Sequence, residues 1–137
     1  MAAHLRAAGI APQLVLCSTS ARTRETLARI APALVPAPIV LFERGIYNAS
    51  TDALLTRLRA LRDSATAVML VAHSSGIEDL ALLLAGRGAG LAAVREKFPT
   101  GALATLAFGG SWQALGAGDA ELVEFVTPRE LQARANA

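Results

Sequence analysis

The sequence predicts an α/β fold: a three-layer sandwich whose sheet is mostly parallel, with an antiparallel hairpin toward the C-terminal end. Three features predict it. Short apolar runs alternate with leucine- and alanine-rich stretches of helical spacing through the first two-thirds of the chain. Those runs show no polar alternation, as expected of strands buried on both faces. After them come two further runs, "GALATLAF" and "SWQAL", separated by Gly109-Gly110, a hairpin signal.

The elements follow in order. "MAAHLRAA" reads as a helix closed by Gly9. Gln13 to Cys17 is the first strand, and Ser18 or Ser20 caps a helix that reaches about Leu34, before Pro36 and Pro38. "PIVLF" is the second strand. Ser50 or Thr51 caps a helix over "DALLTRLRALRD". "TAVMLVA" is the third strand, and Gly76 to Ala85 a further helix. "GRGAG" reads as a loop. After the "GALATLAF" and "SWQAL" hairpin, Glu121 to Val126 is a last strand, and Pro128 opens a short terminal helix.

Composition narrows the function classes. Of 137 residues, 53% are hydrophobic and 18% charged, enough apolar material for one domain over residues 1–137. A net charge of +2 and 4% aromatics argue against a nucleic-acid surface. The lone Cys17 excludes an intrachain disulfide and fits a reducing compartment. The longest apolar stretch, Ala65 to Ala72 with Thr66 inside it, is far below the ~20 residues of a membrane helix. "LVLC" lacks the small residue that a lipoprotein box places before its cysteine. No targeting segment is read, and the expected location is the cytoplasm. With one cysteine and two separated histidines, no metal or cofactor is expected.

Two strand ends carry chemistry, "CSTSAR" and "HSSG". In parallel sheets ligands sit beyond such ends. "AHSSG" approaches a G-x-S-x-G elbow with Ser74 as nucleophile. That order requires a histidine downstream of the serine, and the only histidines are His4 and His73. Cys17 and Arg22 suggest a cysteine phosphatase loop, but four residues intervene where five are required, and Arg24 is too far. Cys17 is better read as a small apolar residue at a strand end. The third reading joins the two ends. Arg22 near one helix start and His73 before another would face one crevice, with two helix N-termini, and hold a phosphate-like anion.

Taken together, "LVLCSTSARTRETL", "ERGIY", "VMLVAHSSGIEDLALLLAG" and "KFPTGALATLAF" resemble the histidine phosphatase superfamily, closest to its SixA-type phosphohistidine phosphatases. The likeness covers nearly the whole chain in order. It implies that Arg22 binds phosphate, that Ser18 of the Ser18-Arg22-Thr26 element adds a hydroxyl, and that His73 lines the same pocket as a catalytic residue. Glu43 is the candidate acid, with Glu78 and Asp79 as further carboxylates near the pocket. The implied partner is phosphate or a phosphorylated protein or small molecule. The pattern departs at Thr19, where proline is usual, and at Ser74-Ser75, where Asn-Pro is common. No Arg-His-Gly triplet, the family's nucleophile at the end of its first strand, occurs in this chain. His4 lies in a helix without a preceding strand and is no substitute. That first strand would lie between residues 66–72 and 102–108. Without it a gap opens or the two runs pair directly, and an open edge is expected to favour a homo-oligomer through the incomplete sheet.

Overall fold

The computed structural model describes residues 1–73 and 75–136. Helix α1 (Ala2–Ala7) leads into strand β1 (Leu14–Ser18), helix α2 (Ala21–Ile30) and strand β2 (Ile39–Glu43). Helix α3 (Thr51–Arg59), strand β3 (Val68–Val71) and helix α4 (Ser75–Leu84) complete the first half. Strand β4 (Ala85–Gly88), helix α5 (Leu91–Glu96), strands β5 (Leu103–Phe108) and β6 (Ala120–Val126) and helix α6 (Pro128–Ala135) follow.

Two three-stranded sheets result, in the orders β2-β1-β3 and β4-β6-β5. The first is wholly parallel, with Leu16 level with Leu41 on one side and Leu70 on the other. Its central strand has no polar face, since Val15, Leu16 and Cys17 are fully buried. Leu16 packs toward α3 and α4 with Leu54, Leu58, Leu80 and Leu84. Val15 and Cys17 pack toward α1 and α2 with Leu5, Leu27 and Ile30. Each such leucine contributes roughly 1.5–3 kcal/mol by leaving water, which is why the run of β1 lacks alternation. The equally apolar run of β2, expected to be buried on both faces, instead stands exposed at the sheet edge.

The expected gap is present. β3 and β5 are the facing edges of the two sheets and, among the described residues, do not pair with each other. Met69, Leu70, Ala102 and Leu103 line the slot between them. It opens on an apolar cavity of about 510 Å³ below α4 and on a wider crevice of about 1110 Å³ on the α2 side. A hydrogen bond spans this region: His4 Nε2 of α1 lies 2.7 Å from Glu124 Oε1 of β6.

Three expectations are corrected. "GRGAG" is not simply a loop, because residues 85–88 form β4 beside β6. Glycine permits that approach: Gly88 has φ +135°, and a Cβ there would collide with the Leu122 carbonyl. "SWQAL" is not a strand. The antiparallel partner of β5 is β6, and residues 111–115 form a turn anchored by Trp112. The indole ring packs edge-on to Phe108 with centroids 4.8 Å apart, and its Nε1 donates to the Ala65 carbonyl at 2.6 Å. The third helix stops at Arg59 rather than Asp63, whose carboxylate accepts from the Trp112 backbone N–H at 3.1 Å.

Candidate functional site

The hydroxyl-rich junction after β1 is a braced turn. Ser20 is the N-cap of α2 and accepts from the Thr23 N–H at 3.3 Å. Thr23 Oγ1 donates to the Ser18 carbonyl at 2.9 Å, and Ser18 Oγ accepts from the Ser20 N–H at 3.2 Å. Thr26 Oγ1 donates to the Arg22 carbonyl at 3.0 Å. The Ser18-Arg22-Thr26 pattern therefore divides: the two hydroxyls hold backbone, and the arginine projects outward.

Arg22 and His73 meet. The guanidinium Nη1 donates to His73 Nε2 at 3.1 Å, across 51 residues of sequence. Arginine has no acceptor, so Nε2 of the imidazole receives this bond. Both side chains are exposed and line the wide crevice beyond the ends of β1 and β3. Arg29, Glu25, Thr26, Ser75, Glu78 and Thr100 line it as well. The N-termini of α2 and α4 open on the same side, adding partial positive charge.

The remaining candidates lie elsewhere. Ser18 is 1% exposed and does not line the crevice, so its role here is in the turn. Glu43 ends β2, level with Ser18, but its carboxylate takes Nε and Nη2 of Arg57 at 2.7 and 2.9 Å. Those two hydrogen bonds hold its carboxyl below the usual carboxylate range, which disfavours the protonated form an acid catalyst needs. Glu78 and Glu25 are the carboxylates that line the crevice. Cys17 is fully enclosed, and burial pushes its thiol up, away from the thiolate that a nucleophile requires. Ser74, the centre of the serine elbow, lies outside the described residues. Sequence reasoning missed Arg29, whose signal was its position seven residues, two helical turns, after Arg22.

No family profile matches the chain. The chain is 39% identical over 118 residues to the uncharacterized protein ML1117 of Mycobacterium leprae, covering 84% of this chain and 71% of that one. It is 36% identical over 129 residues to the uncharacterized protein Rv1276c of Mycobacterium tuberculosis, covering 91% and 79%. Two solved structures superpose with a TM-score of 0.75, and both are of proteins assigned as phosphohistidine phosphatase SixA. One, from Nakamurella multipartitia, is 28% identical, with 93% of this chain and 77% of that one covered. The other, from Agrobacterium tumefaciens, is 25% identical, with 93% and 75% covered. The fold agrees with these likenesses, and the chain belongs to the histidine phosphatase superfamily, among its SixA-like members.

Proposed function

We propose that residues 1–137 act as one domain and form the phosphate-binding half of a SixA-like phosphatase site, acting on phosphohistidine or another phosphomonoester. The observation that carries this reading is the 3.1 Å contact between Arg22 and His73 at adjacent strand ends. A phosphoryl group placed there meets a cation able to bind two of its oxygens, an imidazole and two helix N-termini. Preorganised charge of this kind stabilises the transferring group. Glu78 is the proposed proton donor to the leaving group, in place of Glu43.

A covalent route through phosphohistidine also needs a nucleophile in line with the leaving group. His73 sits beside the proposed phosphate, and His4 is held by Glu124. In the related family that nucleophile closes a strand, and the slot between β3 and β5 has the position and the apolar lining for one. The chain as written should therefore release phosphate at little above background. A form extended by a strand ending in Arg-His-Gly should gain orders of magnitude, and His73→Ala in that form should lose most of the gain. The assay is phosphate release from a phosphohistidine protein or an aryl phosphate. Robust turnover by the 137-residue chain that survives His73→Ala would overturn the proposal. The second reading, a non-catalytic phosphoanion-binding or regulatory domain, rests on the same Arg22–His73 contact. Tight phosphate binding with no turnover even in the extended form would select it.

A further inference from the structure

Of the eight large hydrophobic residues that stand exposed among the described residues, six fall between Val35 and Tyr47. Four are consecutive in β2: Ile39 is 68% exposed, Val40 37%, Leu41 40% and Phe42 50%. β2 is the outer edge of the parallel sheet. No charged residue occurs from Val35 to Phe42, so the strand itself carries none of the charges that usually discourage pairing; a nearby cation, Arg24, is stacked over the Phe42 ring. Edge strands of this kind are templates for another strand.

We propose that this edge is the interface of a two-fold symmetric dimer, formed by antiparallel pairing of β2 with β2 of a second copy. The backbone decides the register. The Ile39 N–H donates inward to the Gln13 carbonyl at 3.0 Å, so Ile39, Leu41 and Glu43 direct their amides to β1. Val40 and Phe42 direct theirs to the open edge. Pro36 and Pro38 have no N–H, which confines the open ladder to Val40 and Phe42.

Only one arrangement then satisfies both copies. Val40 lies opposite the partner's Phe42, Phe42 opposite the partner's Val40, and Leu41 meets the partner's Leu41 at the axis. The two outer pairs exchange four N–H···O=C bonds. Each also sets a β-branched side chain against an aromatic one, a favourable cross-strand combination. The edge is thus complementary to itself, as a two-fold interface requires. The six exposed residues carry on the order of 600 Å² of accessible surface, near the ~800 Å² that each partner gives to a standard interface. This interface differs from the slot between β3 and β5, whose strand residues are mostly half-buried.

Sedimentation equilibrium of the 137-residue chain tests it, with three variants. The wild type should be dimeric at tens of micromolar. Leu41→Lys places two like charges across the axis and should weaken association about 100-fold, as should Leu41→Glu. An equimolar mixture of the two should restore the dimer as a heterodimer, an outcome that misfolding cannot produce. Val40→Pro removes the outward amide without touching a bond to β1, and should also yield monomer. A wild type monomeric at high concentration overturns the proposal. So does a dimer that persists in both Leu41→Lys and Val40→Pro, which would move the interface to the slot.

Discussion

Removing the Arg22 guanidinium is the sharpest perturbation of the candidate site. It is an exposed cation that donates a hydrogen bond to His73. At an effective dielectric of about 20, unit charges 4 Å apart attract by about 4 kcal/mol. Desolvation and salt reduce this toward the 1.5–3 kcal/mol typical of hydrogen bonds to charged groups. The crevice is open, so the lower part of that range applies: about 1.5–2 kcal/mol, or a 10- to 30-fold weaker Kd for inorganic phosphate. Arg22→Lys keeps the charge but loses the fork and should fall between wild type and alanine. His73→Ala removes one hydrogen-bonding partner, worth about 1 kcal/mol or about 5-fold. Because the two side chains touch, the double variant should lose less than the sum, by about 0.5–1 kcal/mol. Arg24→Ala is the control, since its guanidinium lies over the Phe42 ring, 5.2 Å from the centroid, and does not line the crevice. A phosphorus NMR titration at low ionic strength reads all of these. Arg22→Ala within two-fold of wild type, or Arg24→Ala equally damaging, would refute the assignment of Arg22 as the anion-binding residue.

Two further outcomes test the frame around the site. Gly76, at the start of α4, is buried against the chain before α3, and a Cβ there would collide with the Ala49 carbonyl. Gly76→Ala should cost about 2–3 kcal/mol and lower the melting temperature by about 8–12 °C, measured by thermal circular dichroism. The Glu43–Arg57 pair should make stability depend on pH. The folded carboxyl lies below its unfolded value, so its contribution is fully present above the unfolded pKa and is lost as pH falls through the folded one. With both side chains about one-quarter to one-third exposed, the gap between wild type and Glu43→Gln should be about 1 kcal/mol at pH 7. It should close below about pH 4 in urea titrations, and a gap that widens on acidification would contradict the pairing.

The parallel half of the fold was legible because its signals are local. Apolar runs, Ser20 and Ser50 caps and leucine spacing each report on a few adjacent residues, and the caps form as expected. The misread segments depend on distant partners. Residues 86–88 carry no strand signal, and they become one because β6 lies close enough for glycine alone to fit. "SWQAL" looks like a strand until Trp112 finds Ala65 and Asp63. The same limit holds at the site. Arg22 and His73 could be joined because both closely follow the ends of neighbouring parallel strands, a position that topology dictates. Ser18 has the right spacing, but only packing reveals that its hydroxyl is enclosed. Glu43 has the right place on a strand end, and nothing in its neighbourhood announces the arginine fourteen residues on that neutralises it.

Each sheet is made from one uninterrupted stretch of chain. The parallel sheet uses only residues 14–71 and the mixed sheet only residues 85–126. Among the described residues no backbone ladder joins them. Their coupling runs through α4, through side chains such as Leu16, Leu80, Leu115 and Ala120 in one shared cluster, and through the His4–Glu124 pair. All strands of the parallel sheet lie within residues 14–71, so that half can assemble on the ribosome before the mixed half has been synthesised. The two halves then constitute separate units of opening, and native-state hydrogen exchange should resolve two groups of amides where a continuous sheet would give one.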